Sequence, residues 1–124
     1  RVRKQQELRR RAGPVTEVIE ALRAALPDET IFVDDLTLVG YWMPLLMPIQ
    51  HPRTLIHPGT YGTLGYSLPA AIGAKLACPN QPVVSINGDG GFMFTVQELA
   101  TAATLGLDLV VLVFNDGAFG AIRQ

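Results

Sequence analysis

The stretch Val83–Gln124, VVSINGDGGFMFTVQELATAATLGLDLVVLVFNDGAFGAIRQ, carries the reading of the fold. Val83–Ile86 and Leu109–Phe114 are apolar runs rich in β-branched residues, as strands covered on both faces are. The first stops at Asn87-Gly88-Asp89-Gly90-Gly91, which reads as a glycine turn, and the second at Asn115-Asp116-Gly117. Between them the spacing predicts a helix, with Thr95 and Glu98 as a capping box and Gly106 at the C-terminal cap. Strand, helix and strand within about thirty residues form a βαβ unit, so the two strands are expected to be parallel neighbours.

That topology places both polar turns at one edge of the sheet, where open α/β sheets bind ligands. Asp89 and Asp116 are then expected to converge. Carboxylates are hard oxygen donors suited to Mg²⁺, which takes one or two of them and completes its shell with phosphate and water. Gly90, Gly91, Gly117 and Gly120 leave backbone N–H groups open to a close-approaching anion. A helix beginning near Gly120 would add its positive end. Taken together, these residues describe a site for a metal-bridged diphosphate.

Gly88-Asp89-Gly90, followed after a 24-residue spacer by Asn115-Asp116, resembles the GDG…NN signature of thiamine diphosphate-dependent enzymes. A second matching stretch is Gly62-Thr63-Leu64-Gly65-Tyr66-Ser67-Leu68-Pro69-Ala70-Ala71-Ile72-Gly73. The chain is similar to the C-terminal, diphosphate-binding domain of the acetolactate synthase and benzoylformate decarboxylase group. The match covers Gly59–Gln124, with Pro27–Pro58 fitting loosely. The resemblance implies a truncated thiamine diphosphate-binding fold: α/β, doubly wound, with a mainly parallel sheet and helices on both faces.

The resemblance also implies roles for single residues. Asp89, Asp116 and the backbone carbonyl of Ala118 match the protein ligands of Mg²⁺. Gly90, Gly91, Phe119 and Gly120 would line the diphosphate, and Gly88 belongs to the same cofactor-binding set. Leu64 matches the bulky residue that wedges under the bent cofactor. Gly62 matches the residue whose carbonyl accepts from the 4′-amino group, and Thr63 lies between the two. The backbone N–H of Leu64 would serve a neighbouring ring nitrogen. Thr37 matches a position at a strand end that can touch the diphosphate. The expected substrate is a 2-oxo acid, decarboxylated or joined to an acceptor through chemistry that the cofactor supplies.

Two residues depart from the family pattern. Asp116 stands where Asn is usual, which keeps an oxygen ligand and adds a charge. Gly91 stands where Ser is common, which removes a hydroxyl. No residue matches the Glu that activates the cofactor from a separate pyrimidine-binding domain, usually on a partner subunit. The chain therefore reads as an inactive fragment of a longer polypeptide, and the resemblance implies that the complete protein forms a homodimer or homotetramer. Two other readings stand beside this one: a non-catalytic binding or assembly module of the same fold, and another Mg²⁺–phosphate enzyme. The Gly62–Gly73 match argues against the last, since a hydrolase needs no wedge beneath a bent cofactor.

Length and composition agree with one globular domain: 124 residues, 48% hydrophobic, net charge −1. Residues 1–11 hold six of the ten Lys/Arg with only Glu7 opposing them, and 1–12 read as a basic linker or the tail of a preceding domain, with 13–124 as the partial binding domain. The overall charge gives no reason to expect nucleic acid. No apolar run approaches membrane-spanning length, no signal-like segment is present, and Cys78 is alone, so no disulfide framework exists. Cytoplasm is the default expectation.

Upstream of the motifs, Gly13-Pro14 opens a helix whose stripe is Val15, Val18, Ile19, Leu22, Ala25 and Leu26. Ile31–Val33 and Arg53–His57 read as strands. Asp34 and Asp35 read as a strand-end turn leading to a helix cap, and Leu38–Ile49 as an irregular helix and loop whose Met and aromatic residues pack. His57 and His51 are candidate acid–base groups without a visible partner. Ser67–Cys78 reads as a small-residue helix with Pro69 in its first turn.

Overall fold

The computed structural model describes residues 2–117. The elements run α1 (Val2–Ala12), α2 (Pro14–Ala25), β1 (Ile31–Asp34), α3 (Leu38–Leu46), β2 (Leu55–Ile56), α4 (Ser67–Ala77), β3 (Val83–Gly88), α5 (Asp89–Thr95), α6 (Glu98–Thr104) and β4 (Val110–Phe114), with a 3₁₀ turn at Gly59–Tyr61. The four strands form one sheet in the order β2-β1-β3-β4, and every pairing is parallel. The expected βαβ unit is present, with Val84 opposite Val110 and Gly88 opposite Phe114.

Helices cover both faces. On one side, Phe32, Val84 and Ile86 pack with Val15 and Ile19 of α2 and with Val39 and Met43 of α3. On the other, Ile31, Val33 and Val83 pack against Ala71 of α4, and α4 and α6 meet through Leu68, Ile72 and Ala102. Strands covered on both faces need apolar residues at successive positions, and β1 is buried along its whole length. The α2 stripe is as expected except for Ala25, which is exposed. Gly13 is the N-cap of α2, with Pro in the first turn.

The segment 1–12, read as a linker or tail, is helical from Val2 to Ala12, and Ala12 joins the core of the α2–α3 face. Its polar side is held by ion pairs Arg9–Glu20 and Arg10–Glu7. The segment 38–49, read as irregular, contains a regular nine-residue helix. Thr37 caps it, its Oγ accepting the Gly40 amide at 3.0 Å, and the helix accommodates Pro44. Gly40 is required there, because a Cβ would overlap the Asp35 carbonyl. Met43 and Met47 are buried and Trp42 packs beside them, as the packing reading expects, while Tyr41 is exposed.

Three local expectations are corrected. Asn87–Gly91 is not a turn: β3 continues through Gly88 and α5 begins at Asp89. Thr95 and Glu98 do not form a capping box. Thr95 ends α5 and its hydroxyl donates to the Gly65 carbonyl at 3.2 Å, while the Glu98 carboxylate accepts from the Thr101 hydroxyl. A tertiary partner outcompetes the local one. Gly106 does close α6, with a left-handed φ of 60°. The Leu107 amide reaches the Ala102 carbonyl and the Gly106 amide that of Ala103, the paired bonds of a Schellman motif. β2 is also shorter than the expected Arg53–His57, because Arg53 takes a positive φ of 64°.

Candidate functional site

The C-terminal ends of the four parallel strands lie along one edge of the sheet, and each delivers a polar residue there. β3 delivers Asp89, whose Oδ1 accepts the Gly90 amide at 2.8 Å. Its Oδ2 accepts the Gly117 amide at 3.1 Å. Gly117 also donates to Asn115 Oδ1 at 2.8 Å. One amide thus ties the GDG segment to the turn after β4, and Asp89 and the 115–117 turn come together as the βαβ reading requires. Asp116 lies in that turn and is exposed. Ala118, Phe119 and Gly120, the remaining expected contacts, lie outside the described residues, as does the helix expected near Gly120.

β1 delivers Asp34 and Asp35, both fully buried. Asp35 makes a long-range tie that the strand-end reading missed. Its Oδ1 accepts the Leu36 amide at 2.7 Å and its Oδ2 accepts the Gly65 amide at 2.9 Å. The same oxygen lies 2.9 Å from where a Cβ on Gly91 would be. This carboxylate therefore joins the Gly62–Gly65 turn to the first turn of α5. Thr37 follows, with its Cγ2 3.4 Å from the Cβ position of Gly88, so this strand end borders the GDG segment.

The turn between β2 and α4 is built for close backbone approach. Gly59, Gly62 and Gly65 all have positive φ, 70°, 50° and 79°, a region costly for other residues. Thr63 and Leu64 are exposed between them. Leu64 is thus a large apolar side chain held out of the core. The start of α4 is fixed by Ser67, whose hydroxyl donates to the Val33 carbonyl at 2.6 Å. Ser67 Oγ also accepts the Ile86 amide at 3.1 Å and shares a hydrogen bond with Ser85. Asn87 extends this network to Ser85 and to the Leu112 carbonyl.

His57, which follows β2, does have a partner. Its Nδ1 lies 2.9 and 3.0 Å from the two oxygens of Asp34. Burial raises the Asp34 carboxyl to about 6, with Asp35 adding to the rise and His57 and a backbone amide opposing it.

Comparison with known proteins shows the family of the chain that carries this edge. Residues 35–124 match the family model described as "Thiamine pyrophosphate enzyme, C-terminal TPP binding domain". The chain belongs to that family. It is 45% identical over 108 residues to "Probable 2-ketoarginine decarboxylase" of Pseudomonas aeruginosa, covering 86% of this chain and 19% of that protein. It is 37% identical over 107 residues to the acetolactate synthase isozyme 1 large subunit of Escherichia coli, again covering 86% and 19%. The solved thiamine diphosphate-dependent 4-hydroxybenzoylformate decarboxylase of Rhodococcus jostii superposes with a TM-score of 0.77 at 31% identity, over 88% of this chain and 20% of that one. The chain thus spans about a fifth of the length of these relatives.

The donor set fits the family's metal and diphosphate in kind. Asp89 is a carboxylate already directed at the 115–117 turn, Asp116 adds a second, and Mg²⁺ needs no more than one or two from protein. Among the described residues no group of three or more His, Cys, Asp or Glu gathers as a metal cage. Among them, too, no helix is long and apolar enough to cross a membrane.

Proposed function

We propose that this chain holds the diphosphate end of thiamine diphosphate through Mg²⁺, as part of a longer 2-oxo acid decarboxylase or carboligase. The observation that carries the reading is the Asp89–Gly117 hydrogen bond, 3.1 Å long, which unites the two halves of the signature at the ligand-binding edge. Asp89 and Asp116 would hold the metal with the Ala118 carbonyl. Gly88, Gly90, Gly91, Phe119 and Gly120 would face the diphosphate, and Thr37 would flank it. Gly62, Thr63 and Leu64 would meet the cofactor's rings, with Leu64 beneath the bend.

The cofactor supplies the carbanion chemistry, and this chain's residues bind it, orient it and keep its diphosphate neutralised. The activating Glu would come from a pyrimidine-binding domain of a partner subunit in a homodimer or homotetramer. The substrate class is a 2-oxo acid, and 2-ketoarginine, named for the 45%-identical relative, is the first to test.

Calorimetric titration of the full-length polypeptide with Mg²⁺ and thiamine diphosphate tests this reading. The wild type is expected to bind the cofactor only with the metal, and Asp89→Ala to abolish that binding by removing a ligand outright. Metal-independent binding, or an Asp89→Ala protein that binds as the wild type does, would sink the assignment.

A further inference from the structure

The Asp34–His57 pair is not accounted for by holding a diphosphate. Register places it: Val33 lies opposite Ile56 on β1 and β2, so the next residues, Asp34 and His57, face each other at the C-terminal edge. The Asp34 side chain is wholly buried, while that of His57 is 29% exposed. A buried carboxylate on Nδ1 fixes an imidazole's orientation and favours the tautomer with hydrogen on Nδ1, leaving Nε2 for other work. Among the described residues Nε2 makes no hydrogen bond.

The surroundings are those of the candidate site. Two residues past Asp34, the Leu36 side chain lies 3.1 Å from the Cβ position of Gly62. One residue past it, Asp35 holds Gly65. Gly62 stands five positions beyond His57 itself. A clamp for the two-residue strand β2 would need only the Nδ1 bond. It would not need a second nitrogen left open beside a ligand-binding turn.

We propose that His57 is a substrate-contacting proton donor at this edge, with Asp34 as its positioning residue. The proposal rests on the reading that a 2-oxo acid is processed here. When a nucleophile adds to the substrate's 2-carbonyl carbon, the carbonyl π pair moves to oxygen. His57 enters this step as the imidazolium, with hydrogen on both nitrogens: its Nε2–H bond breaks and an O–H bond forms on that oxygen. The imidazole is left neutral, with its Nδ1–H still donated to Asp34, and Nε2 regains a proton from solvent.

Two measurements on the full-length polypeptide test the proposal. In the first, His57→Gln is compared with wild type, using thiamine diphosphate, Mg²⁺ and either pyruvate or 2-ketoarginine. The expected result is a fall in kcat on the order of 10²-fold, with cofactor affinity within about twofold of wild type. Asp34→Asn is expected to fall between the two. A His57→Gln enzyme with kcat within about threefold of wild type would overturn the proposal and leave His57 a clamp.

The second measurement needs no variant. Diethyl pyrocarbonate should acylate His57 at its open Nε2, as seen by peptide mass spectrometry, and the 2-oxo acid should protect His57 but not the exposed His51. Equal modification of His57 with and without substrate would also overturn it. Failure of the wild type to bind thiamine diphosphate at all would instead sink the functional reading, and this proposal with it.

Discussion

Asp35 Oδ2 accepts the backbone amide of Gly65 at 2.9 Å, across thirty positions of sequence. The other oxygen accepts the Leu36 amide, so both oxygens of a buried carboxylate are used by N–H donors. Asp35→Asn keeps the shape but offers one acceptor and an NH₂ group, which leaves one buried amide facing another donor. Such a loss costs about 1–3 kcal/mol. The turn carrying Leu64 should loosen, so weaker thiamine diphosphate binding is expected together with the loss of stability. Denaturant midpoints and cofactor titration check both, and unchanged values for both would show that the Gly65 bond does not hold the turn.

Gly91 sits against the same carboxylate. A Cβ there would lie 2.9 Å from Asp35 Oδ2 and 3.5 Å from the Gly65 nitrogen. The carboxylate cannot swing aside without giving up an amide. Gly91→Ala is therefore expected to destabilise by about 1–3 kcal/mol, the usual range for overpacking. Gly73→Ala, where a Cβ meets nothing within 4 Å, is the control and should be neutral or mildly stabilising. Equal effects from the two substitutions would remove the close-approach argument.

The sheet was legible because a doubly covered strand must be apolar at successive positions, as the buried Val83–Ile86 is; Leu109–Phe114 is equally apolar, but β4 is not doubly covered, since Val110 and Val113 are exposed. The convergence of Asp89 with the turn at Asn115-Asp116-Gly117 followed from the parallel pairing of the two strands of one βαβ unit. What could not be read is set by distant partners. Thr95 has the spacing of a capping residue, yet its hydroxyl goes to Gly65. Asp34 finds His57 only through the β1–β2 register. Asp35 looked like a turn residue because its acceptor role depends on Gly65, thirty positions away, whose amide it accepts. The signal available for Asp35 was a glycine turn whose buried amides need an acceptor.

Asp34 sets a pH dependence. Burial raises its carboxyl from 3.8 to about 6 in the folded state, so the folded protein holds this proton more tightly than the unfolded chain does. The stabilising contribution is complete below the unfolded value of 3.8 and is lost as pH rises through about 6. Hydrogen exchange of the peptide spanning 31–36, corrected for intrinsic rates, should show protection falling across that window in the full-length polypeptide. Asp34→Asn, which cannot ionise, should flatten the profile. A profile unchanged by the substitution would assign the pH dependence to another group.

Leu64 separates a cofactor wedge from an ordinary core residue. Truncating a buried Leu to Ala costs about 2–5 kcal/mol. Leu64 is 37% exposed and stands between two glycines of positive φ, Gly62 and Gly65. Leu64→Ala is thus expected to cost less than a core truncation, about 1–2 kcal/mol, since more than a third of the residue stays in water. The loss should appear elsewhere. Without the side chain beneath it, the cofactor's bend is less favoured, and hydrogen–deuterium exchange at its thiazolium C2 should slow in the full-length polypeptide. Diphosphate anchoring through Asp89 and Mg²⁺ should change little, so the cofactor titration stays near wild type. A large stability loss with unchanged C2 exchange would return Leu64 to packing, and a collapse of cofactor affinity would move its role to anchoring.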